Sequence, residues 1–185
     1  ELLADHHRMV RQQLADFETH LAEFVGTRHG VGVSNCTDGL RLIAHSLGIG
    51  PGDEVVTVAH TFIATISPFV MRGAKPVFVD IGDDQLMDTA QLESVVTERT
   101  RVIIPVHLNG RTVDMTEVMK VAESCGATVI EDAAQALGAS IDGRTAGTIG
   151  LASTYSFYPA KMLGAPGDAG AVLRRASRTH AGAMG

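Results

Sequence analysis

Residues 127–132 read Ala-Thr-Val-Ile-Glu-Asp, a short β-branched and apolar run that ends on two carboxylates. Its centre does not alternate with polar residues, which suits a strand buried on both faces. Before it, Val118, Val121 and Ala122 fall at helical spacing, and before those comes a second apolar run, RVIIPV at 101–106. The alternation continues outward in both directions. Strand candidates are GVGVS around Val31, DEVVTV around Val56, PVFVD around Val77, STYSFY around Tyr155 and GAVLR around Val172. Helical patterns lie between, at Leu40, Ile43, Ala44 and Leu47, and at Leu92, Val95 and Val96. Buried strands separated by helices predict an α/β fold, a mostly parallel sheet sandwiched by helices. Such sheets place ligands at the carboxyl ends of their strands.

At the amino end, Val10, Leu14, Phe17, Leu21, Phe24 and Val25 predict an amphipathic helix that Gly26 would cap. The chain has 185 residues, 45% of them hydrophobic and 19% charged, enough for one domain with a sizeable core. A formal net charge of −6 argues against nucleic-acid and membrane-surface partners. No apolar run is long enough to span a bilayer and no signal segment opens the chain. Cys36 and Cys125 have no C-x-x-C spacing and no metal partners, so no metal site is expected and a reducing, cytoplasmic setting is.

Four features fall just after strands. Ser34-Asn35-Cys36-Thr37-Asp38 opens the helix containing Leu40, where unpaired backbone N–H groups and the positive dipole end suit a phosphate; taken alone, these residue types favour a plain helix cap. Asp132, with Gln135 three residues on, can hold a charged ring nitrogen or cap the following turn. Lys161, soon after the Tyr155 strand, can form an imine with a carbonyl cofactor or sit in solvent. Phe62, after the Val56 strand, can cover a planar group or join the core. Together they are the parts that pyridoxal 5'-phosphate needs. The Gly-x-Gly-x-x-Gly and Walker patterns are missing, so dinucleotide and nucleoside-triphosphate readings lack support.

The blocks GVGVSNCTDGLRL, GPGDEVVTVAHTFIAT, RVIIPVHLNG, VIEDAAQALGA and SFYPAKMLGAPGDAGAV resemble, near-continuously from Phe17 to Leu173, the DegT/DnrJ/EryC1/StrS family of nucleotide-sugar aminotransferases. The resemblance implies the large domain of a fold-type I pyridoxal phosphate-dependent transferase over 27–175, after an N-terminal helical segment at 1–26 and before a tail at 176–185. It implies that Thr37, Asp38 and Ser156 face the phosphate and Phe62 stacks on the ring. It further implies that Asp132 meets the pyridine nitrogen, Gln135 lies near the phenolic oxygen and Lys161 is the Schiff-base lysine. Lysine rather than histidine at 161 favours amination over the family's dehydratase branch. The implied partners are an amino-acid donor, L-glutamate, and a nucleotide-linked keto-deoxysugar, in a homodimer.

Gly167-Asp168-Ala169-Gly170 stands where many members read Gly-Glu-Gly-Gly and resembles the branch that aminates C3. Asn109, Arg111 and Cys36 replace a usual tyrosine, glutamine and glycine. After Leu173 the resemblance fades, and the small C-terminal domain of the family is not recognised. A dehydratase or epimerase relative, or a non-catalytic protein of the same fold, are the alternatives. His60 and His107, each after a strand, are open between lining the site and serving structure.

Overall fold

The computed structural model describes residues 2–175, so the tail expected at 176–185 lies outside the described residues. All seven expected strands form: β1 (His29–Val33), β2 (Glu54–Val58), β3 (Lys75–Val79), β4 (Thr100–Ile103), β5 (Thr128–Asp132), then β8 (Ala152–Ser156) and β9 (Gly170–Arg174). Between the last two groups a small hairpin, β6 (Ser140–Ile141) and β7 (Arg144–Thr145), stands apart from the main sheet. The main sheet has the order β1-β9-β8-β5-β4-β2-β3. Every strand but β9 runs in one direction; β9 runs against both β8 and β1. Its reversal follows from the connection after β8, which carries no helix to return the chain to the starting edge.

Helices cover both faces. On one, α2 (Cys36–Ser46) and α3 (Ser67–Val70) pack Leu40, Ile43 and Phe69 against Val55, Val102 and Ile130. On the other, α4 (Thr89–Val95) and α5 (Met115–Cys125) pack Leu92, Val118 and Val121 against Val56, Ile103 and Val129. The pleat sends Val55 to one layer and Val56 to the other, so β2 is buried at every position. Asp88 and Asp114 accept the N–H groups of Ala90 and Thr116 and cap α4 and α5. No helix among the described residues is long and apolar enough to cross a membrane.

The amino-terminal helix, α1 (Leu2–Val25), ends at Gly26, whose φ is +91° and whose N–H returns to the Ala22 carbonyl at 2.9 Å. Its expected apolar stripe is only half used. Leu21 and Val25 are buried with Tyr155 and Leu173, and Phe17 meets Phe157 edge-on at 5.5 Å between ring centres. Val10, Leu14 and Phe24 remain exposed.

Glu54 ties together the amino-terminal edge of the sheet. Only 2% exposed, it accepts from Thr97 Oγ1 at 2.6 Å, Arg99 Nη2 at 2.8 Å and Lys75 Nζ at 3.2 Å. The hydrogen bonds from Thr97 and Arg99, then Lys75, outweigh burial and hold its carboxyl down to about 2. The folded state therefore binds this proton less tightly than the unfolded chain. Its contribution is complete above about pH 4.3 and fades as pH falls toward 2. Glu54→Gln is expected to cost about 1 kcal/mol at pH 7, because both cations stay solvated when released. The gap to wild type should narrow below pH 4 in urea unfolding followed by circular dichroism.

Candidate active site

The carboxyl edge of the sheet gathers its loops around one cavity of about 690 Å³. It receives Thr37 and Asp38 from the first turn of α2, Phe62 from the loop after β2, and Asp132 and Gln135 from the end of β5. Ser156 and Lys161 come from the end of β8 and the loop beyond it. Every site residue expected from the sequence thus lines the same cavity. Because β9 is reversed, the segment leading into it also opens here and adds Asp168.

The start of α2 is built to sit close to the sheet. A Cβ on Gly39 would lie 2.9 Å from Val172, and one on Gly170 would lie 2.6 and 2.7 Å from the backbone of Asn35 and Cys36. Any side chain at 170 would push the helix terminus away from β9. Asn35 is the cap, its Oδ1 accepting the Asp38 N–H at 2.8 Å. The Asp38 carboxylate is occupied as well, by Arg41 Nη1 at 2.8 Å, by Ser34 Oγ and by Asn35 Nδ2. The N–H groups of Cys36 and Thr37 have no intrahelical acceptor, and the Thr37 and Ser156 hydroxyls face the same cavity. This end can take an anion, since Arg41 offsets the Asp38 charge.

Asp132 is 6% exposed and is held on both oxygens. Oδ2 accepts from Thr65 Oγ1 at 2.6 Å, and Oδ1 accepts from the Ala134 N–H at 3.1 Å. The turn-capping reading of Asp132 and its cavity-facing reading therefore hold at once. Lys161 is half-buried and forms no ion pair among the described residues. Its loop is closed by the Ala165 N–H to the Phe157 carbonyl at 2.8 Å. Phe62, 70% exposed, stands at the rim. Burial pushes the Cys36 thiol well above the usual range and the Asp132 charge pushes it further, against a smaller pull from Thr154 and Lys161. Cys36 is thus a neutral wall of the cavity that feels both Asp132 and Lys161.

The profile of the DegT/DnrJ/EryC1/StrS aminotransferase family matches residues 3–183. The chain belongs to this family. It is 48% identical over 169 residues to the dTDP-3-amino-3,4,6-trideoxy-alpha-D-glucose transaminase of Micromonospora megalomicea subsp. nigra, covering 91% of this chain and 45% of that protein. It is 47% identical over 157 residues to the pleiotropic regulatory protein of Geobacillus stearothermophilus, covering 84% of this chain and 42% of that one. The solved structure of S. venezuelae DesV in complex with a ketimine intermediate shares the fold, with a TM-score of 0.84 at 42% identity. That match covers 89% of this chain and 44% of DesV. The chain spans less than half the length of each.

In this DegT-family chain the residues behind the cavity are as organised as those in it. Glu131, one position before Asp132, points to the opposite face and is fully buried. Its Oε1 accepts the N–H groups of Ile149 and Gly150 at 2.7 and 2.6 Å, and its Oε2 accepts the Gly147 N–H at 2.6 Å and His107 Nε2 at 2.9 Å. The Val113 N–H donates to His107 Nδ1 at 3.1 Å, so the ring proton sits on Nε2 and His107 is the donor. Burial opposes ionisation of Glu131, but the His107 hydrogen bond and the Gly150 and Gly147 amides prevail and keep its carboxyl below the ordinary range.

His107 is therefore structural, and His60 is exposed; neither lines the cavity. The sequence assigns no cavity role to Thr61, Thr65, Arg41, Tyr158 or Asp168, all of which do line it. The one available signal for Thr65 was its place three residues after Phe62 in a strand-end loop.

Proposed function

We propose that this chain is the cofactor-binding part of a pyridoxal phosphate-dependent aminotransferase. In this reading it moves an amino group from L-glutamate to carbon 3 of a nucleotide-linked keto-deoxysugar, as a cytoplasmic homodimer. One observation carries the reading: a single cavity joins a helix start suited to an anion, a buried carboxylate and a lysine without an ion-pair partner among the described residues. Its volume suits a cofactor with a small substrate. The donor set fits the group: amides and hydroxyls for the phosphate at α2 and Ser156, an acceptor at Asp132 for a ring N–H, and an aromatic at the rim. The choice of carbon 3 is supported by the name of the transaminase relative with 48% identity.

Pyridoxal phosphate, when bound, supplies a carbonyl carbon that takes up the donor's amino group and a ring that withdraws electrons from the carbon being deprotonated. Asp132 accepts the ring N–H and keeps that nitrogen positive. The α2 terminus, Thr37 and Ser156 hold the phosphate in place. Phe62 shields one face from water, and Gln135 orients the ring's oxygen. The Lys161 amine would hold the cofactor's aldehyde end and, when free, would serve as the general acid and base that moves the proton. The same residues serve both half-reactions, so ping-pong kinetics are expected.

The test is a visible spectrum of the purified chain with pyridoxal phosphate, before and after L-glutamate. Uptake with a visible lysine-bound band that glutamate bleaches supports the reading; no band rejects it. A band that glutamate leaves unchanged favours the second reading, a non-catalytic regulatory protein, which the relative named a pleiotropic regulatory protein supports at 47% identity. Asp132→Asn is expected to keep the band but slow bleaching by about 10²-fold or more in stopped flow, because the ring loses its fixed counter-charge.

A further inference from the structure

Behind Asp132 lies a pair of hydroxyls that no part of the proposed chemistry uses directly. Thr65 Oγ1 stands 2.6 Å from Asp132 Oδ2 and 2.8 Å from Thr61 Oγ1. A hydroxyl has one proton to give. The carboxylate can only accept, so Thr65 gives its proton to Asp132, and the Thr61–Thr65 contact must then run from Thr61 to Thr65. The pair is a directed chain that starts at the half-buried Thr61 on the cavity wall and ends at the carboxylate.

We propose that Thr65, backed by Thr61, is a positioning residue that locks the Asp132 carboxylate in the orientation needed to receive a cofactor's ring N–H. This rests on the pyridoxal phosphate reading above. The terminal torsion of an aspartate is broad and two-fold, so a single anchor leaves it free to swing. Here the anchors come from two segments and grip different oxygens: Thr65 from the turn after β2, and the Ala134 N–H from the turn after β5. A carboxylate has about four lone-pair positions. With one taken on each oxygen, the remaining ones keep a set direction. Thr65 is 1% exposed, so water cannot replace its hydroxyl without repacking. Its own N–H bonds to the Phe62 carbonyl at 3.0 Å, so one short turn, Ile63–Thr65 with Phe62 as its cap, places both the rim aromatic and the carboxylate's anchor.

The experiment compares wild type, Thr65→Val and Thr65→Ser for pyridoxal phosphate affinity and for the ¹⁵N NMR shift of the bound, ¹⁵N-labelled ring nitrogen. Thr65→Val is expected to weaken binding about 10-fold, the size of one hydrogen bond to a charged group. It should also move the ring ¹⁵N signal toward the unprotonated value. Thr65→Ser, which keeps the hydroxyl, should match wild type in both. A Thr65→Val signal identical to wild type overturns the proposal, and so does a Thr65→Ser variant that behaves like Thr65→Val, since the effect would then be packing. Should Thr65→Val not fold, Thr61→Val gives the same readouts with a smaller shift in the same direction, and no shift there counts against the chain of hydroxyls. A wild-type chain that takes up no cofactor overturns the underlying reading and this one with it, whereas normal uptake with unmoved variants overturns this one alone.

Discussion

Replacing Lys161 with alanine is expected to leave the chain folded and still able to bind pyridoxal phosphate, while removing the visible lysine-bound band and cutting amino transfer by about 10⁴-fold or more. The two parts of that result have separate causes. Lys161 is half-buried, holds no ion pair among the described residues, and contributes to its loop only through its backbone N–H to the Tyr158 carbonyl at 2.8 Å. Alanine keeps that bond, so stability should stay within about 0.5 kcal/mol of wild type. The phosphate contacts proposed for α2 and Ser156 do not involve position 161, so the cofactor should still enter, with lower affinity for want of a covalent link. The proposed proton carrier is lost outright, because the other basic side chain on the wall, Arg41, is paired with Asp38 at 2.8 Å and does not give up its proton near neutral pH. Thermal melts, equilibrium binding and single-turnover kinetics with L-glutamate check the three statements independently. Added methylamine should restore part of the rate. A variant that keeps the visible band would remove Lys161 from the chemistry.

What the sequence made legible, and what it hid, divides along physical lines. Strands such as β2 and β5 could be read because burial on both faces favours apolar runs at their centres. The direction of β9 could not, since side-chain pattern carries no sense of direction; only the helix-free connection after β8 decides it. The hairpin of β6 and β7 was passed over although its turn, Asp142-Gly143, has the residues that positive φ favours, and the two values are 51° and 73°. Its strands are two residues long, too short for any period to register. Lys161, Asp132, Phe62 and the α2 residues were legible as cavity-facing candidates because they follow strands of one sheet direction. Thr61 and Thr65 were not, since threonines in strand-end loops are usually caps. His107 shows the limit of strand-end reasoning most clearly. Its neighbour Val106 lines the cavity, and a step of one residue turns His107 to the other face, toward Glu131.

That other face carries the second large effect. Glu131→Gln is expected to destabilise the chain by about 3–5 kcal/mol, a large share of the 5–15 kcal/mol that a domain of this kind has in total. The carboxylate receives four donors, three of them backbone N–H groups from the 147–150 loop and one from His107. An amide of the same shape must place its NH₂ group where one oxygen was, and each oxygen faces two donors. His107 cannot relieve the clash by moving its proton, because Nδ1 is already occupied by the Val113 N–H. Buried donors would be left unpaired in either orientation, with no water to replace the lost acceptor. The pH dependence should separate this cause from simple misfit. In wild type the folded state holds the Glu131 proton less tightly than the unfolded chain, so its contribution is full above the unfolded carboxylate value of about 4.3 and declines as pH falls below it. The glutamine variant lacks that titration. Urea unfolding from pH 7 down to pH 3 should therefore show the two proteins converging, and a gap that stays constant would mean the cost is steric. Because Glu131 directly precedes Asp132 on β5, the same variant should loosen the carboxylate's placement in the cavity, so whatever native fraction survives should also bind pyridoxal phosphate more weakly.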